Sequence, residues 1–325
     1  MQSWFAATPV VRLDDDAVDL FAKLEFSNPN GSAKDRSAYW ILKRGIERGE
    51  ITEDTTVVES SSGNFALSMA SFCRALGLSF IPVIDPNCNP ATEGSLRALC
   101  DHVEKVTVPD EAGGYLRTRL DRVAQLRDQL KNAFWPDQYG SADAAEAHYA
   151  LTGGEVLREF DELDYLFVGV GTGGTISGLS RRLKQRFPEV TVVAVDAVGS
   201  AIFGQEPAVR RIPGIGSSIV PGLLKSALID DVQFVSELDT VAGCRQLMRR
   251  SGLYAGGSTG SVYAAIQRYF GARSESGGRK RSVLFLCADR GTAYAETVYN
   301  DAWVSKFLGD PDPDPFRPIP LSPVH

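Results

Sequence analysis

The sequence has few of the residues that build disulfide or zinc frameworks. Its 5 cysteines are Cys73, Cys88, Cys100, Cys244 and Cys287. No two of them form a Cys-x-x-Cys pair, and His102 and His148 stand too far apart for the spacing of a zinc site. An odd number of unpaired thiols is typical of a reducing cytosol. We therefore expect buried free thiols, two structural histidines and no metal site.

Long apolar runs and an excess of positive charge are also missing. No apolar stretch approaches the ~20 residues that cross a bilayer. Residues 1–9 lack the basic segment and apolar core of a signal peptide. The formal net charge of −7 argues against nucleic acid and anionic membranes as partners. With 43% hydrophobic and 23% charged residues, the 325-residue chain is expected to be a soluble, cytoplasmic protein of one or two domains.

Short apolar segments alternate with amphipathic segments along the chain. The predicted strands cover residues 10–13, 20–24, 56–59, 80–85, 102–108, 165–170, 190–195 and 282–286. The predicted helices follow the loop at 28–36 and cover 65–76, 91–99, 115–131, 175–185 and 258–269. Strands that alternate with helices form right-handed βαβ units and buried parallel sheets. Two such series predict two α/β domains with a cleft between them.

A tight polar loop at residues 28–36 carries a lysine where it meets a helix. Its Asn-Pro and Asn-Gly pairs form turns, and apolar residues recur at helical spacing from Ala38 onward. Lys34 is therefore predicted at the start of a helix, with Ser32 near the N-cap. The helix dipole disfavours a cation there, which favours the neutral amine that makes Schiff bases. A solvated surface lysine is the alternative interpretation.

A glycine-rich turn, Gly-Val-Gly-Thr-Gly-Gly-Thr at residues 169–175, joins a predicted strand to a predicted helix. Such a turn directs backbone N–H groups at a phosphate. It contains the G-x-G-x-x-G of dinucleotide-binding folds, and Asp196 closes the next strand at the distance that this motif requires. A nicotinamide cofactor, a single phosphate monoester and a turn without a ligand are therefore all open at this point.

Four loops together resemble the cysteine synthase and cystathionine β-synthase family, the fold-type II enzymes that use pyridoxal phosphate. Residues 28–36 match the cofactor-lysine motif and residues 171–175 match the phosphate loop. Ser-Ser-Gly-Asn at 61–64 matches the carboxylate loop, and residues 256–260 match the glycine–serine motif. The resemblance implies the tryptophan synthase β-like α/β fold, with two parallel-sheet domains and the active site in the cleft.

The resemblance also implies domain bounds and a homodimer. The smaller α/β domain, with the carboxylate loop, would comprise residues 36–144. The larger domain, which binds pyridoxal phosphate, would comprise residues 1–35 plus 145–308. Residues 309–325 are proline-rich and are expected to be an extended tail.

The same resemblance implies roles for individual residues. Lys34 would hold the cofactor as a Schiff base and act as the catalytic base. Asn64 would contact the cofactor's 3′-oxygen, and Ser258 would face its ring nitrogen. The further cofactor contacts would be Gly171, Thr172, Gly173, Gly174 and Thr175. The substrate contacts would be Ser61, Ser62, Gly63, Asn64, Arg119, Gln138, Tyr139 and Gly214. A guanidinium binds phosphate through charge-assisted hydrogen bonds, so Arg119 is our candidate for a phosphate ester; a solvated helix arginine is the alternative.

Several stretches resemble the branch of the family that joins O-phospho-L-serine to L-glutamate. They are residues 113–119, 199–204, 255–261, 289–291 and 298–303. The implied reaction is a β-replacement that eliminates phosphate and gives N-(2-amino-2-carboxyethyl)-L-glutamate, a 2,3-diaminopropionate precursor for siderophore or antibiotic biosynthesis. Gly171 departs from this branch, for which we expect serine, and matches cysteine synthases.

Three other functions stay open at this stage. The first is a cysteine synthase that uses O-phosphoserine or O-acetylserine with sulfide. The second is a nicotinamide-dependent oxidoreductase, which leaves the lysine loop unexplained. The third is a non-catalytic binding protein, which is hard to reconcile with the presence of Lys34, Asn64 and Ser258 together.

Overall fold

Two β-sheets organise the chain in the computed structural model, which describes residues 5–110, 113–271 and 279–309. Apart from Gly309, the proline-rich tail predicted for 309–325 lies outside the described residues. The smaller sheet has four strands and the larger sheet has six. Both sheets are wound from βαβ units, as the alternating pattern predicts.

The smaller sheet is parallel throughout. Its strands, in their order across the sheet, are β5 (Glu104–Lys105), β4 (Ser79–Ile84), β3 (Thr56–Ser60) and β6 (Ala133–Phe134). Its helices are α2 (Asn64–Leu76), α3 (Pro90–Leu99) and α4 (Leu116–Gln129). The predicted strand over 102–108 is wrong in length, because only two of its residues pair with β4. Val103 and Val106 pack partly against apolar cores, whereas Val108 is 67% exposed.

The strands of the larger sheet, in their order across the sheet, are β1 (Val10–Leu13), β2 (Asp19–Lys23), β10 (Ser282–Leu286), β7 (Tyr165–Gly169), β8 (Thr191–Ala197) and β9 (Asp231–Val235). The sheet is parallel except for its edge strand β1, which pairs antiparallel with β2. The remaining helices are α1 (Lys34–Glu47), α5 (Ala142–Ala147), α6 (Gly153–Glu159), α7 (Gly174–Arg186), α8 (Glu237–Ser251), α9 (Gly257–Gly271) and α10 (Asp301–Phe307). An antiparallel edge strand on a parallel sheet is a common arrangement.

The central strands of the larger sheet bury both of their faces. Phe167 and Phe285 point to one face and pack in the core that includes Val262 of α9. Leu166 and Leu284, their neighbours in sequence, point to the other face and pack in the core beneath α7. Because successive strand residues point to opposite faces, a nearly continuous apolar run is required there.

Helix α7 lies unusually close to α5 and to the π-helical turn His148–Thr152 that follows it. A Cβ atom added at Gly178 would lie 2.2 Å from the Ala145 carbonyl oxygen and 2.6 Å from the Tyr149 nitrogen. A side chain at this position would therefore push the two helices apart. The glycine fixes where the N-terminus of α7 lies.

A buried ionic network ties α1 to β2 and α6. Arg36, two residues after Lys34, is fully buried. Its Nε donates to Glu25 at 2.6 Å and its Nη1 donates to Glu155 at 2.6 Å. Lys23 Nζ also donates to Glu155, at 2.6 Å. Two cations and two carboxylates make the network electrically neutral, which is the condition for burying such charges.

The two sheets divide the strands along the predicted domains. All four strands of the smaller sheet lie within residues 36–144, and all six of the larger sheet lie outside that range. Helix α5 crosses the predicted boundary at residue 144. The domain bounds themselves stay a prediction.

Candidate active site

Lys34 is the first residue of α1, as the loop pattern predicts. Its backbone N–H donates to Ser32 Oγ at 3.3 Å. The loop before it is fixed by Asp35, whose carboxylate accepts from the Asn30 backbone at 2.7 Å and from its side-chain amide at 2.8 Å. Burial lowers the pKa of Lys34, and the nearby Asp289 carboxylate opposes this shift. The sequence predicted a neutral amine because of the helix dipole. The pKa of Lys34 is shifted in that direction, but burial is the main cause.

A cavity that is partly open to solvent lies at the carboxyl ends of the strands of the larger sheet. This is the edge at which open α/β sheets bind ligands. The predicted site residues that line it are Lys34, Asn64, Gly171, Thr172, Gly173, Thr175, Gly214 and Ser258. The predicted residues outside its wall are Gly174, Ser61, Ser62, Gly63, Arg119, Gln138 and Tyr139. The structure therefore brings the expected cofactor contacts together, apart from Gly174, and sets most expected substrate contacts beside them.

The glycine-rich turn ends at Gly173, which has a left-handed φ of +85° and precedes α7. No side chain caps this helix, so its first N–H groups are available to a ligand in the cavity. Thr175 in the first turn contacts His148, with Oγ1 and Nε2 3.2 Å apart. Burial lowers the pKa of His148 well below its usual value, so the imidazole is neutral. His148 thus supports the first turn of α7 from behind.

The loop at 61–64 leads into α2 and is tied to an arginine. Ser62 Oγ donates to Asp85 at 3.1 Å and accepts from Arg119 Nη1 at 2.9 Å. Arg119 also pairs with Asp85, Nε to Oδ2, at 3.2 Å, and its side chain is only 13% exposed. Arg119 is therefore not a solvated helix arginine. It stands behind the loop that the resemblance assigns to the substrate carboxylate.

Gln138 and Tyr139 follow β6, next to the end of β3. Gln138 Nε2 donates to the Ser60 carbonyl at 3.0 Å, and its backbone N–H donates to Glu59 at 3.2 Å. Burial raises the pKa of Glu59 to about 8. Burial also raises the pKa of Tyr139, while the charge of Arg119 opposes the shift. These contacts hold Gln138 against the start of the carboxylate loop.

Ser258 is the second residue of α9 and is buried beside Gly214. Gly214 has a φ of +113°, and a Cβ there would lie 3.3 Å from the Ser258 Cβ. A side chain at position 214 would therefore crowd the serine as well as strain the backbone. The hydroxyl stands in the cavity wall, where the resemblance places the ring nitrogen.

Sequence reasoning missed Asp289 as a site residue. It follows β10, is 5% exposed and lines the cavity. Its Oδ2 accepts from Asn64 Nδ2 at 2.7 Å and from Tyr294 Oη at 3.0 Å, while its Oδ1 is buried without a hydrogen-bond partner. The available signal was its place directly after a buried strand, at the same sheet edge as Lys34.

The dinucleotide interpretation of the glycine-rich turn fails at Asp196. This residue ends β8 as expected, but it is completely buried and does not line the cavity. Its Oδ1 accepts from the Ala197 backbone at 2.8 Å. A carboxylate in this position cannot reach a ribose hydroxyl.

The described residues contain no group of three or more His, Cys, Asp or Glu side chains arranged to hold a metal ion. None of their helices has both the length and the apolar character needed to cross a membrane.

The cavity fits pyridoxal phosphate. It offers an amine with a lowered pKa at Lys34, an uncapped helix N-terminus for a phosphate and a buried hydroxyl at Ser258. A backbone carbonyl restricts the turn as well, because a Cβ at Gly171 would lie 3.2 Å from the Gly214 oxygen. Lys34 would hold the aldehyde of the cofactor, the N-terminus of α7 would hold its phosphate, and Ser258 would face its ring nitrogen.

Known proteins resemble the chain over most of its length. It is 44% identical over 304 residues to an N-(2-amino-2-carboxyethyl)-L-glutamate synthase from Ralstonia nicotianae, covering 92% of this chain and 89% of the relative. It is 43% identical to a synthase of the same name from Cupriavidus metallidurans, covering 89% of this chain and 84% of that relative.

Solved structures share the fold. An O-acetylserine-dependent cystathionine β-synthase from Helicobacter pylori matches with a TM-score of 0.83 at 26% identity, covering 91% of this chain and 96% of that one. A hydrogen sulfide-producing enzyme from Fusobacterium nucleatum matches with a TM-score of 0.82 at 26% identity, covering 90% of this chain and 98% of that one. The model of the pyridoxal-phosphate dependent enzyme family matches residues 2–288. The chain belongs to the family of pyridoxal-phosphate dependent enzymes.

Proposed function

We propose that the chain catalyses a β-replacement on O-phospho-L-serine in which L-glutamate is the incoming amine, giving N-(2-amino-2-carboxyethyl)-L-glutamate. The observation that carries the choice of substrates is the identity of 44% and 43%, over about nine-tenths of the chain, to two synthases of that product. The cavity supports the chemistry, because it combines an amine and an anion site at one sheet edge.

Lys34 is the proposed base and the proposed attachment point of the cofactor. Pyridoxal phosphate, when bound, supplies an electron-withdrawing ring that acidifies the Cα–H bond of an amino acid. Lys34 removes the Cα proton and later returns it, and the burial that lowers its pKa favours the neutral amine needed for removal. Ser258 offers a neutral hydroxyl to the ring nitrogen, which suits departure of a β-substituent better than storage of charge on the ring.

The N-terminus of α2 is the proposed carboxylate site. Gly63 precedes this helix and no side chain caps it, so its first N–H groups are free to bind an anion. Ser61 and Ser62 lie in the same turn, and Asn64 extends from it into the cavity. These groups would orient the Cα–H bond toward Lys34.

Arg119 is the proposed contact for the phosphate that leaves. Its guanidinium is held by Ser62 and Asp85, which aligns it before a substrate arrives. A planar guanidinium forms two parallel hydrogen bonds with a phosphate, which a lysine cannot do. Gln138 and Tyr139 complete the proposed substrate side. A grip of Arg119 on a carboxylate of the incoming glutamate is the alternative role.

A cysteine synthase is the second candidate, and Gly171 favours it. The glutamate-using branch is expected to carry serine at this position. Because the Gly214 oxygen would lie 3.2 Å from a Cβ, a side chain at 171 requires the turn to shift by a few tenths of an ångström. By their names, the enzyme from Helicobacter pylori depends on O-acetylserine and the enzyme from Fusobacterium nucleatum produces hydrogen sulfide.

One experiment separates the two candidates. The holoenzyme is incubated with O-phosphoserine or O-acetylserine, and with glutamate, other amines or sulfide, and the products are identified by mass. We expect N-(2-amino-2-carboxyethyl)-L-glutamate from O-phosphoserine and glutamate, with phosphate released in equal amount. Cysteine as the main product, or no product with glutamate, would refute the proposal.

Attachment at Lys34 is tested separately by borohydride reduction and peptide mapping. We expect the reduced cofactor on Lys34 and no other lysine. A homodimer in the cytoplasm belongs to the same proposal, and light scattering of the purified holoenzyme measures its first part.

A further inference from the structure

The carboxylate of Asp289 has an unused acceptor in the cavity that holds Lys34. Its Oδ2 is occupied by Asn64 and Tyr294, whereas Oδ1 is buried and has no partner among the described residues. A buried carboxylate oxygen without a donor is costly, so it indicates a donor that arrives later or a charge nearby. Gly256 makes room for it, because a Cβ there would lie 2.0 Å from Oδ1.

Backbone pairing places the segment that carries Asp289 beside the segment that carries the lysine. Ser32 and Asp289 form an antiparallel β-bridge, and the Ala33 N–H donates to the Ala288 carbonyl at 2.8 Å. Lys34 is the next residue, and its side chain lines the same cavity. Burial lowers the pKa of Lys34 and raises the pKa of Asp289, and the electrostatic attraction between the two groups opposes both shifts.

The histidine, tyrosine and cysteine side chains near this pair are neutral at pH 7. Burial lowers the pKa of His148, whose imidazole lies near Lys34. Burial raises the pKa of Tyr294 and Cys287, and raises that of Cys244 to about 12. Asp35, the next residue after Lys34, accepts instead from Asn30. Among the described residues, Asp289 is the carboxylate whose charge acts on Lys34.

We propose that Asp289 is a positioning residue that holds the proton-bearing Nζ of Lys34 through its free Oδ1, while its Oδ2 fixes Asn64. When the Cα–H bond of the substrate breaks, its electron pair stays on carbon and the proton forms a new N–H bond on Lys34. The lysine then carries a positive charge in a buried site, and the adjacent carboxylate balances it. The same contact keeps the proton available for return.

The test uses holoenzymes of three chains: the wild type, Asp289→Asn and Tyr294→Phe. Asp289→Asn removes the charge but can still accept from Asn64 and Tyr294 through its amide oxygen. Tyr294→Phe removes one hydrogen bond to Oδ2 and keeps the charge. The visible absorbance of lysine-bound pyridoxal phosphate depends on whether Nζ carries a proton, so its pH midpoint reports on Nζ without turnover.

A carboxylate favours the protonated form, so its loss should move the midpoint of Asp289→Asn to lower pH by about 1 unit or more. Tyr294→Phe should keep the wild-type midpoint. An unchanged midpoint in Asp289→Asn, or equal shifts in both variants, would overturn the inference. Should Asp289→Asn fail to fold, Asp289→Ser is measured instead, with the same expected shift.

The inference rests on Lys34 as the cofactor lysine, which is part of the proposed function. The two can fail separately. A borohydride adduct on another lysine refutes the proposed function, whereas an adduct on Lys34 with an unchanged midpoint refutes only the role of Asp289.

Discussion

Replacing Arg36 with methionine tests how the active-site helix is anchored. The guanidinium donates to Glu25 and Glu155 through all three of its nitrogens, and no part of it is exposed. Burial alone would raise the pKa of Glu25, but Arg36 holds it below its usual value. Both carboxylates are therefore charged, and Arg36→Met leaves them buried with Lys23 as their remaining cation.

The charge balance sets the expected magnitude. The network changes from neutral to a net charge of −1, and removal of one partner of a buried ion pair costs about 3–5 kcal/mol. Domains are stable by about 5–15 kcal/mol in total, so this is a large share. Changing Glu25 to glutamine as well restores neutrality. The double variant should therefore be more stable than Arg36→Met alone, by about 1–3 kcal/mol.

The assay is urea unfolding at pH 7 with a fixed excess of pyridoxal phosphate, so that cofactor binding contributes equally to each protein. Arg12→Met is the matched control, because Arg12 is 68% exposed in its pair with Asp19. We expect it to change the free energy of unfolding by no more than about 1 kcal/mol. A similar loss for Arg36→Met and Arg12→Met, or a double variant weaker than the single, would refute the reasoning.

Three further predictions follow from contacts around the site. Arg119→Ala loses a charge-assisted contact of about 1.5–3 kcal/mol, so kcat/KM for O-phosphoserine should fall about ten- to a hundredfold while that for O-acetylserine barely changes; an equal loss for both substrates would argue against a phosphate contact. Burial keeps His148 unprotonated in the folded protein, so below pH ~6.5 the unfolded chain binds one proton more than the folded chain. The free energy of unfolding should therefore decrease as the pH falls below ~6.5, by up to about 1.4 kcal/mol per pH unit. His148→Asn should remove this slope in pH-dependent denaturation, and an unchanged slope would assign it to other groups. Gly178→Ala should destabilise the protein by about 1–3 kcal/mol through the contact with α5, whereas Gly94→Ala, in α3 with open space around it, should stabilise it by about 0.5–1 kcal/mol in thermal unfolding.

Local turn chemistry accounts for what the sequence predicted well. The Asn-Pro and Asn-Gly pairs and the glycine-rich turn require little beyond their own residues, so α1 begins at Lys34 as predicted and α7 begins at Gly174, one residue before its predicted start. Strand β10 has the predicted bounds because all of its residues are buried and four of the five are apolar. The predicted fold class is confirmed by the family and by the shared fold of the solved structures.

Contacts between residues far apart in the chain account for the site contacts that the sequence did not predict. The carboxylate of Asp289 accepts a hydrogen bond from Asn64, which lies 225 positions away in the sequence, and no local pattern at either residue predicts this contact. The pairing of Arg119 with Asp85 is equally remote from its own helix pattern. Helix α8 was missed although Ser236 and Asp239 form a capping box, because the motif has aspartate where glutamate or glutamine is usual.

The order of strands in the larger sheet has a consequence for synthesis on the ribosome. The smaller sheet is encoded continuously, so its four strands are available to pair before the second half of the chain exists. Strand β2 cannot complete its pairing until β10 is made, and β10 is translated last among the strands of the described residues. Lys34 is therefore made early, whereas Leu286, Ala288 and Asp289 of the cavity wall are made late. A nascent chain should be unable to retain pyridoxal phosphate until its final strand has left the exit tunnel.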